Sequence, residues 1–283
     1  MSLEDQLLQL CQRQLLCGRP AVLGLNGPVG AGKTTFSSRL QEICAAAGLQ
    51  LAVASIDDAY LPWAERLEAM AGNPFGVTRV PPGSHDPALL NHCIEQWRSG
   101  ADRLLKLPRF NKSLRQGEGD RCGPWQGHAD ALLLEGWLVG CRPYPAAQAE
   151  EALSELSTLN DAERRWALHC NQALARYEPL WDQLDQLVQL WPLRWELPRR
   201  WRFQAEARQR RSGGGWLPAV ALRGLVDASL KSLPPELYQQ PVLARASWVR
   251  MLDARRRCVW EGSGAAALTR LTQPWSASSS ATG

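Results

Sequence analysis

Short apolar runs alternate with longer amphipathic segments along most of this 283-residue chain. The apolar runs have the length of buried strands, and the longer segments carry apolar residues at helical spacing. The runs that predict strands are 21–25, 51–56, 103–110, 131–137, 187–191 and a short one near 248–252. The segments that predict helices are 3–17, 33–47, 87–100, 148–184, 198–211 and 216–231. This alternation predicts an α/β fold, in which helices cover both faces of a mostly parallel sheet.

Two stretches rich in glycine, proline or polar residues, 62–84 and 111–128, predict loops between these elements. No linker or internal repeat divides the chain, so residues 1–262 predict a single domain that begins with an N-terminal helix. The basic run 254–260 predicts a turn before the chain leaves the fold. Residues 263–283 are mostly small and polar, and they predict a disordered tail.

The composition narrows the class of protein and of partner. Hydrophobic residues make up 45% of the chain and charged residues 21%, which is ordinary for a soluble globular protein. A net charge of +4 is too small to indicate a nucleic-acid partner, and no apolar run is long enough to predict a membrane span. The N-terminus has early acids, unlike a secretory signal. The eight cysteines form no C-x-x-C pair, so they predict free thiols and a cytoplasmic protein; nothing indicates the oligomeric state.

Residues 27–35, GPVGAGKTT, match the phosphate-binding loop pattern between a predicted strand and a predicted helix. Glycines let backbone N–H groups surround phosphate oxygens, and the start of the helix presents its partial positive charge to the same anion. Lys33 is expected to reach the β- and γ-phosphates, and the Thr34 hydroxyl to bind Mg²⁺. The predicted site for ATP and Mg²⁺ also includes Gly27, Pro28, Val29, Gly30, Ala31, Gly32 and Thr35.

Charged residues follow three of the predicted strands, at the edge where a doubly wound sheet collects its chemistry. They are Asp57 with Asp58, Arg109 and Glu135. Transfer of a phosphoryl group to a hydroxyl needs a carboxylate that accepts the proton, and a second acid usually supports Mg²⁺. We therefore expect Asp57 or Asp58 to act as the base and Glu135 to support the metal. Capping of a helix or loop is the alternative for all three acids.

Seven motifs occur in an order that resembles the D-glycerate 3-kinase family of plants and cyanobacteria. They are GPVGAGKTT, SIDDAY, GSHD (83–86), LPRFNKS (107–113), GEGDR (117–121), LLEGWLVG (133–140) and RWRFQAE (200–206). That family belongs to the P-loop kinases related to uridine kinase, phosphoribulokinase and bacterial pantothenate kinase. The resemblance covers about residues 20–255. It implies a P-loop NTPase fold with a helical lid and the ATP-dependent phosphorylation of D-glycerate to 3-phosphoglycerate, a step of photorespiration.

The resemblance also implies roles for the acids and for one arginine. In the wider group, the acid at the end of the second strand is the catalytic base, and a small residue and an aromatic usually follow it. Asp57 takes that position with Asp58 beside it, and this chain differs by having Ala59 and then Tyr60. In RWRFQAE, Arg202 is expected to close over the γ-phosphate from a mobile helix. The other arginines of that helix are expected to lie on a solvated face.

The acceptor that the resemblance implies is a small acid whose carboxylate suits the planar fork of arginine. The motifs implied to form the acceptor site contain Arg79, His85, Asp86, Arg109, Lys112 and Arg121. Two of these residues have a structural alternative. His85 can be a hydrogen-bonded core histidine, and Asp86 can cap the helix that follows it.

Other functions fit some of the same motifs. The chemistry is unchanged if the acceptor is a nucleoside, a pantothenate-like acid or another sugar acid. A nucleotide-binding regulatory protein with little catalysis would keep the fold, although the intact acids argue against it. A nucleic-acid-binding role would need a concentrated basic surface, for which 198–211 is the candidate.

Overall fold

The computed structural model describes residues 2–213 and 217–272. The strands are β1 (Ala21–Asn26), β2 (Leu51–Ser55), β3 (Leu104–Asn111), β4 (Asp120–His128), β5 (Ala131–Gly136), β6 (Gln186–Pro192), β7 (Trp248–Leu252) and β8 (Cys258–Gly262). The helices are α1 (Leu3–Leu16), α2 (Lys33–Ala46), α3 (Trp63–Ala69), α4 (Pro87–Ser99), α5 (Ala146–Ser154), α6 (Asp161–Leu174), α7 (Glu178–Trp181), α8 (Leu197–Arg211), α9 (Ala219–Lys231), α10 (Pro235–Tyr238), α11 (Gln240–Arg245) and α12 (Gly264–Leu271). Over these two ranges, none of the helices combines the length and apolar character that a membrane span needs.

The central sheet has six strands in the order β2–β5–β1–β6–β7–β8. All neighbours run parallel except β7 and β8, which are antiparallel. β1 lies between β5 and β6 and is buried along its whole length. Ala131 pairs with Ala21 of β1, and Glu135 pairs with Ser55 of β2. The carboxyl ends of β2, β5 and β1 therefore lie side by side, and the predicted α/β fold is confirmed.

Alternate side chains of the central strands enter two hydrophobic clusters, one on each face of the sheet. Val22 and Leu132 pack in the cluster that includes Trp97 of α4. Leu23 packs in the other cluster, with Leu40 of α2. Helices therefore cover both faces of the parallel strands, which explains why those strands are continuous apolar runs in the sequence.

β3 and β4 form a separate antiparallel ribbon, so two predictions from the sequence are wrong in part. The strand predicted at 103–110 is present but lies outside the parallel sheet, and the predicted loop is correct for 112–119 but not for 120–128. The sequence predicts 103–110 as a strand of the parallel sheet and 111–128 as a loop. In β3, however, buried Leu105 is followed by exposed Lys106, the alternation of a strand with one covered face. Such a strand pairs well with a neighbour in a two-stranded ribbon. Arg109 consequently lies on the ribbon and not at the carboxyl edge of the parallel sheet.

Two other predicted segments contain more than one element. The predicted helix 148–184 is divided into α5, α6 and shorter helices. Asn160 starts α6 with a capping box, in which its side chain accepts from the N–H of Glu163 and the Glu163 carboxylate accepts from the N–H of Asn160. The basic run 254–260 does contain a turn, but it then enters β8, which pairs with β7.

The prediction of a disordered tail, 263–283, is wrong for its first part. The Ser263 hydroxyl accepts a hydrogen bond from the N–H of Ala266 at 3.3 Å and so caps α12. Ala267 in this helix is fully buried, in a cluster with residues of α11 and β7. Burial of small apolar side chains against the sheet edge therefore orders a segment whose composition favours disorder. Residues 273–283 lie outside the described residues.

Candidate active site

The phosphate-binding loop connects β1 to α2 in the way that the sequence predicts. Gly30 and Gly32 have φ angles of 81° and 95°, which glycine adopts without steric cost. At Gly30 the loop also meets α8, because a Cβ atom there would lie 2.8 Å from the Cβ of Trp201. The loop therefore depends on glycine both for its own turn and for close packing against the predicted lid helix.

The Lys33 ammonium lies over the loop and beside an acid. It donates to the carbonyl oxygens of Gly27 at 2.9 Å and Pro28 at 3.3 Å. Its Nζ atom is also 3.7 Å from Glu135 Oε2. Because the lysine begins α2, the positive end of that helix and the ammonium act on the same volume. This arrangement favours an anion such as the phosphates of a nucleotide.

Glu135 is the next-to-last residue of β5 and lies beside the phosphate-binding loop. Its Oε2 atom is buried and makes no hydrogen bond. A buried carboxylate oxygen with only an ammonium nearby fits a cation or the water shell of one. The Thr34 side chain, one residue after Lys33, is exposed. Among the described residues no group of three or more His, Cys, Asp or Glu is placed to hold a metal ion.

Asp57 lies in a 3₁₀ turn, Ile56–Ala59, directly after β2. The Tyr60 hydroxyl donates to its Oδ1 atom at 2.9 Å, and the Lys112 ammonium donates to its Oδ2 atom at 3.0 Å. Burial acts to raise the pKa of Asp57, but Lys112 and His85 outweigh it and hold the pKa well below its usual range. The carboxylate is therefore ionised at physiological pH and able to accept a hydrogen bond from a hydroxyl.

Asp58 has a different environment from its neighbour. Its Oδ2 atom accepts hydrogen bonds from the N–H of Ser55 at 3.2 Å and from the Arg109 guanidinium at 3.0 Å. Asp58 and Ser55 form the capping box of the 3₁₀ turn. Asp58 therefore caps the turn, whereas Asp57 faces a cavity next to the phosphate-binding loop.

A cavity of about 340 Å³ lies between the phosphate-binding loop, the 3₁₀ turn and the two helices α8 and α9. It is lined by Val29, Gly30, Lys33, Ser55, Asp57, Tyr60, Arg79, Val80, Lys112, Glu135, Gly136, Trp137, Arg202, Leu225 and Val226. The predicted phosphate lysine, the predicted base, the predicted metal acid and the predicted lid arginine therefore share one cavity. A cavity of about 600 Å³ adjoins it at Arg79 and Leu225, but none of these four groups lines that second cavity.

Two of the six predicted acceptor residues line the cavity. Arg79 is buried, and its guanidinium donates to the carbonyl oxygens of Gly117 at 3.0 Å and Glu118 at 2.5 Å. Lys112 follows the end of β3, and 60% of its side chain is exposed. These two cations give the cavity the charge that a carboxylate acceptor requires.

Arg109, Arg121 and Asp86 lie outside the cavity lining and make internal ion pairs. Arg109 pairs with Asp58, as described above. Arg121 donates to Asp86 Oδ2 at 3.1 Å and to the carbonyl oxygen of Tyr60 at 2.7 Å. Asp86 also accepts from the N–H of Leu89 at the start of α4, so its N-cap alternative is realised. These residues hold the β3–β4 ribbon and α4 against the segment that carries Asp57.

His85 is fully buried behind Asp57. Its ring stacks on Tyr60 with centroids 4.4 Å apart, and its Nδ1 atom lies 2.9 Å from the Tyr177 hydroxyl. Its Nε2 atom is 3.8 Å from Asp57 Oδ1. Burial lowers the pKa of His85, although Asp57 opposes this effect, so the imidazole is neutral at physiological pH. The structural alternative for His85 is therefore realised.

The predicted lid helix α8 packs on the phosphate-binding loop. Trp201 is fully buried, and its indole N–H donates to the carbonyl oxygen of Ala254 at 3.0 Å. Arg202 follows it, lines the cavity and forms an ion pair with Glu206 at 3.1 Å. Arg199, one turn earlier, pairs with Asp227 of α9. Arg202 therefore lines the same cavity as Lys33, and both its role at the γ-phosphate and the mobility of α8 stay predictions.

Three features near the site are not among the residues that the sequence predicts for it. Val80 lines the cavity with a φ angle of 96°, which is strained for a β-branched residue and typical of functional sites. Arg66 is fully buried and donates to the carbonyl oxygens of Leu61 and Gly119, so it fixes the ribbon beside the 3₁₀ turn. The third is the run of arginines before β8, where the Arg256 guanidinium is 3.5 Å from the Gly30 carbonyl oxygen. Val80 and Arg66 belong to no periodic pattern or motif that signals their position, and the basic run 254–260 predicts only a turn.

No protein-family model matches the chain. It is 30% identical over 218 residues to "Uncharacterized kinase mug58" of Schizosaccharomyces pombe, an alignment that covers 71% of this chain and 76% of that protein. It is 29% identical over 235 residues to "D-glycerate 3-kinase, chloroplastic" of Arabidopsis thaliana, covering 78% of this chain and 49% of that one. The chain belongs to the D-glycerate 3-kinase family of P-loop kinases.

The solved structure of D-glycerate 3-kinase from Cryptococcus neoformans superposes on this member of the D-glycerate 3-kinase family with a TM-score of 0.78. The two chains are 26% identical, and the superposition covers 93% of this chain and 99% of that one. The chain spans about half of the Arabidopsis protein and about three quarters of the fission-yeast one. The resemblance that the motifs indicate is thus confirmed, and so is the P-loop kinase fold.

Proposed function

We propose that this protein transfers the γ-phosphoryl group of ATP to a hydroxyl of D-glycerate and forms 3-phosphoglycerate. The observation that supports this most strongly is the shared cavity, in which Lys33 of the phosphate-binding loop lies with the carboxylate of Asp57 and the cations Arg79 and Lys112. The names of the Arabidopsis and Cryptococcus relatives support D-glycerate as the acceptor.

In the proposed reaction the phosphate-binding loop and Lys33 hold the triphosphate. Asp57 accepts the proton of the acceptor hydroxyl as that oxygen attacks the γ-phosphorus. Arg202 lies at the lid side of the cavity, where it would stabilise charge on the transferred group. These groups line one cavity, so positioning and electrostatic stabilisation supply most of the catalysis, as in other phosphoryl transfers.

The residues present also fit a magnesium ion. Thr34 and the unbonded Oε2 atom of Glu135 would hold the ion or its water shell. When bound, it would neutralise negative charge on the β- and γ-phosphates. We also propose a cytoplasmic location, because all eight cysteines are free thiols.

The acceptor carboxylate would be bound by Arg79 and Lys112. Arg79 uses only its NH1 atom for the two carbonyl oxygens, so other guanidinium N–H groups remain for a ligand. Lys112 is already beside Asp57 and can bring the acceptor close to the base. The other arginines of the acceptor motifs would act by holding the ribbon that carries Lys112.

The direct test is product analysis after incubation with ATP, Mg²⁺ and an acceptor panel. The panel contains D-glycerate, L-glycerate, pantothenate, uridine and a longer sugar acid. We expect turnover with D-glycerate and 3-phosphoglycerate as its product. Turnover with another acceptor in place of D-glycerate would assign a different substrate to the same chemistry. ATP binding without turnover of any acceptor would favour the regulatory alternative.

A further inference from the structure

The two carboxylate oxygens of Asp57 have different surroundings. Oδ1 accepts from the Tyr60 hydroxyl at 2.9 Å, and Tyr60 is fully buried. Oδ2 accepts from Lys112 at 3.0 Å, and the Lys112 side chain is 60% exposed. The inner oxygen is therefore held by the protein interior, and the outer oxygen faces the open cavity.

Tyr60 is itself held in place on several sides. Its ring stacks on His85 with an interplanar angle of 18°, and its backbone forms an isolated β-bridge with the same residue. The Phe110 ring meets it edge-on, with centroids 4.9 Å apart. Its carbonyl oxygen accepts a hydrogen bond from Arg121. Packing this complete gives the hydroxyl a single position from which to hold Asp57.

The histidine behind the pair supports the same orientation. The Tyr177 oxygen accepts from the N–H of Gly83 at 3.1 Å, so its own proton is available for His85 Nδ1, which is 2.9 Å away. With Nδ1 as the acceptor, the neutral imidazole carries its proton on Nε2. That atom faces Asp57 Oδ1 at 3.8 Å, too long for a hydrogen bond but favourable in sign. Both groups behind Asp57 therefore act on Oδ1.

We propose that Tyr60 is a positioning residue that fixes the Asp57 carboxylate through Oδ1, so that Oδ2 is the atom that takes the proton from the acceptor hydroxyl. This inference rests on the proposed function. In the step, the hydroxyl O–H bond breaks, and its proton passes to Oδ2. The hydroxyl oxygen bonds to the γ-phosphorus while the bond from that phosphorus to ADP breaks and leaves its electron pair on ADP.

Lys112 does not prevent Oδ2 from acting in this way. A carboxylate oxygen has two lone pairs and can accept from the ammonium and from a hydroxyl together. The ammonium has three N–H groups, so one can stay on Oδ2 while another binds the acceptor. The two side chains thus have different roles. Tyr60 fixes the plane of the Asp57 carboxylate, and Lys112 brings the acceptor to Oδ2 of that carboxylate.

The test compares Tyr60→Phe with a matched control, Tyr238→Phe. Both changes remove only a hydroxyl from a buried ring, and the Tyr238 hydroxyl donates to Asn171 Oδ1 at 2.9 Å, outside the cavity lining. We expect Tyr60→Phe to lower kcat about tenfold, as loss of a hydrogen bond to a charged group should, with an unchanged KM for ATP. Tyr238→Phe should keep the wild-type kcat. Equal kcat values for the two variants would overturn the proposal.

A second comparison separates positioning from a general structural effect. If Tyr60 acts only through Asp57, adding Tyr60→Phe to Asp57→Asn should leave the low residual turnover of the single Asp57→Asn variant unchanged. A further tenfold loss in the double variant would mean that Tyr60 acts by another route. Circular dichroism and thermal unfolding of each variant check that the fold is retained.

Failure of the proposed function gives a different result from failure of this inference. If the wild-type protein phosphorylates no acceptor in the panel, the proposed function fails. The hydrogen bond from Tyr60 to Asp57 Oδ1 is then tested by measuring the unfolding free energies of Tyr60→Phe, Asp57→Ala and the double variant. Non-additive effects would support the anchor, and additive effects would overturn it.

Discussion

The two sides of the cavity are built in different ways. The proposed phosphate side comes mostly from one continuous segment, the loop from Gly27 to Thr34, with Glu135 from the adjacent strand. The proposed acceptor side consists of Asp57, Arg79 and Lys112, from three segments that the β3–β4 ribbon and its ion pairs bring together. A local motif therefore specifies the first side, whereas packing over long sequence separations specifies the second.

The comparison predicts that the sides can be damaged separately, and Asp57→Asn should have the largest effect. Asparagine keeps the shape but cannot take the proton, so we expect kcat to fall about 1,000-fold, within the range for loss of a general base. The dissociation constant for ATP should stay within about twofold, because Asp57 lies on the acceptor side. Stopped-flow turnover and calorimetric ATP titration measure the two quantities. A parallel loss of ATP affinity would contradict the separation of the two sides.

Lys33→Met is the counterpart on the phosphate side. Removing the ammonium that faces the phosphates should lower kcat/KM for ATP about 100-fold, comparable with the loss of one strong electrostatic contact. Binding of the acceptor alone, measured by calorimetry, should be unchanged. Weaker acceptor binding in this variant would show that Lys33 serves both sides.

Gly30→Ala tests the packing of α8 on the phosphate loop. The new Cβ would meet Trp201 at 2.8 Å, in addition to the strain of a φ angle of 81°. Gly18→Ala is the matched control, because Gly18 has a φ angle of 75° and no atom within 4 Å of the added Cβ. We expect Gly30→Ala to lower the free energy of unfolding by about 2 kcal/mol more than Gly18→Ala, a typical cost of overpacking. Urea denaturation measures the difference, and equal losses would remove the argument for tight packing.

Lys112→Gln should have a smaller and purely acceptor-side effect. Loss of one charge-assisted contact should raise KM for D-glycerate about tenfold and leave KM for ATP unchanged. Lys106→Gln provides the control, because Lys106 is an exposed lysine on the same ribbon and outside the cavity lining. If both variants raise KM equally, the effect comes from net charge and not from a contact.

The effect that is smallest at neutral pH concerns the pH dependence of stability. Burial raises the pKa of Asp57, but Lys112 and His85 lower it by more, so the folded-state pKa is depressed. Its contribution to stability is therefore complete above the unfolded-state pKa of about 3.9 and is lost as pH falls towards the folded-state pKa. The difference in unfolding free energy between wild type and Asp57→Asn should stay constant from pH 6 to 8 and shrink below about pH 4. A difference that changes between pH 6 and 8 would contradict the depressed pKa.

The strands of the parallel sheet could be predicted because they are buried on both faces. β1, β2 and β5 are continuous apolar runs, and parallel topology places their carboxyl ends at one edge. β3 looks like another apolar run in the sequence, but it is covered on one face only and lies outside the parallel sheet. α12 could not be predicted from composition, because its order depends on a buried contact of Ala267 with distant residues.

Two neighbouring acids also show what the sequence can and cannot predict. The pair Asp57 and Asp58 is visible in the sequence, and so is the choice between capping and catalysis. The direction of each side chain in the 3₁₀ turn decides which acid caps the turn and which acid faces the cavity. Asp58 turns back to Ser55 and Arg109, and Asp57 turns to Tyr60 and Lys112.

The sequence by itself determined the phosphate-binding loop and the α/β class, because local spacing encodes both, and the resemblance of seven motifs indicated the kinase family. Only the tertiary structure decided that Arg79 and Lys112 enter the cavity while Arg109 and Arg121 hold the ribbon. An arginine has the same charge in either role. Its role depends on which carboxylate the fold brings within reach, and that is set by contacts between residues far apart in the chain.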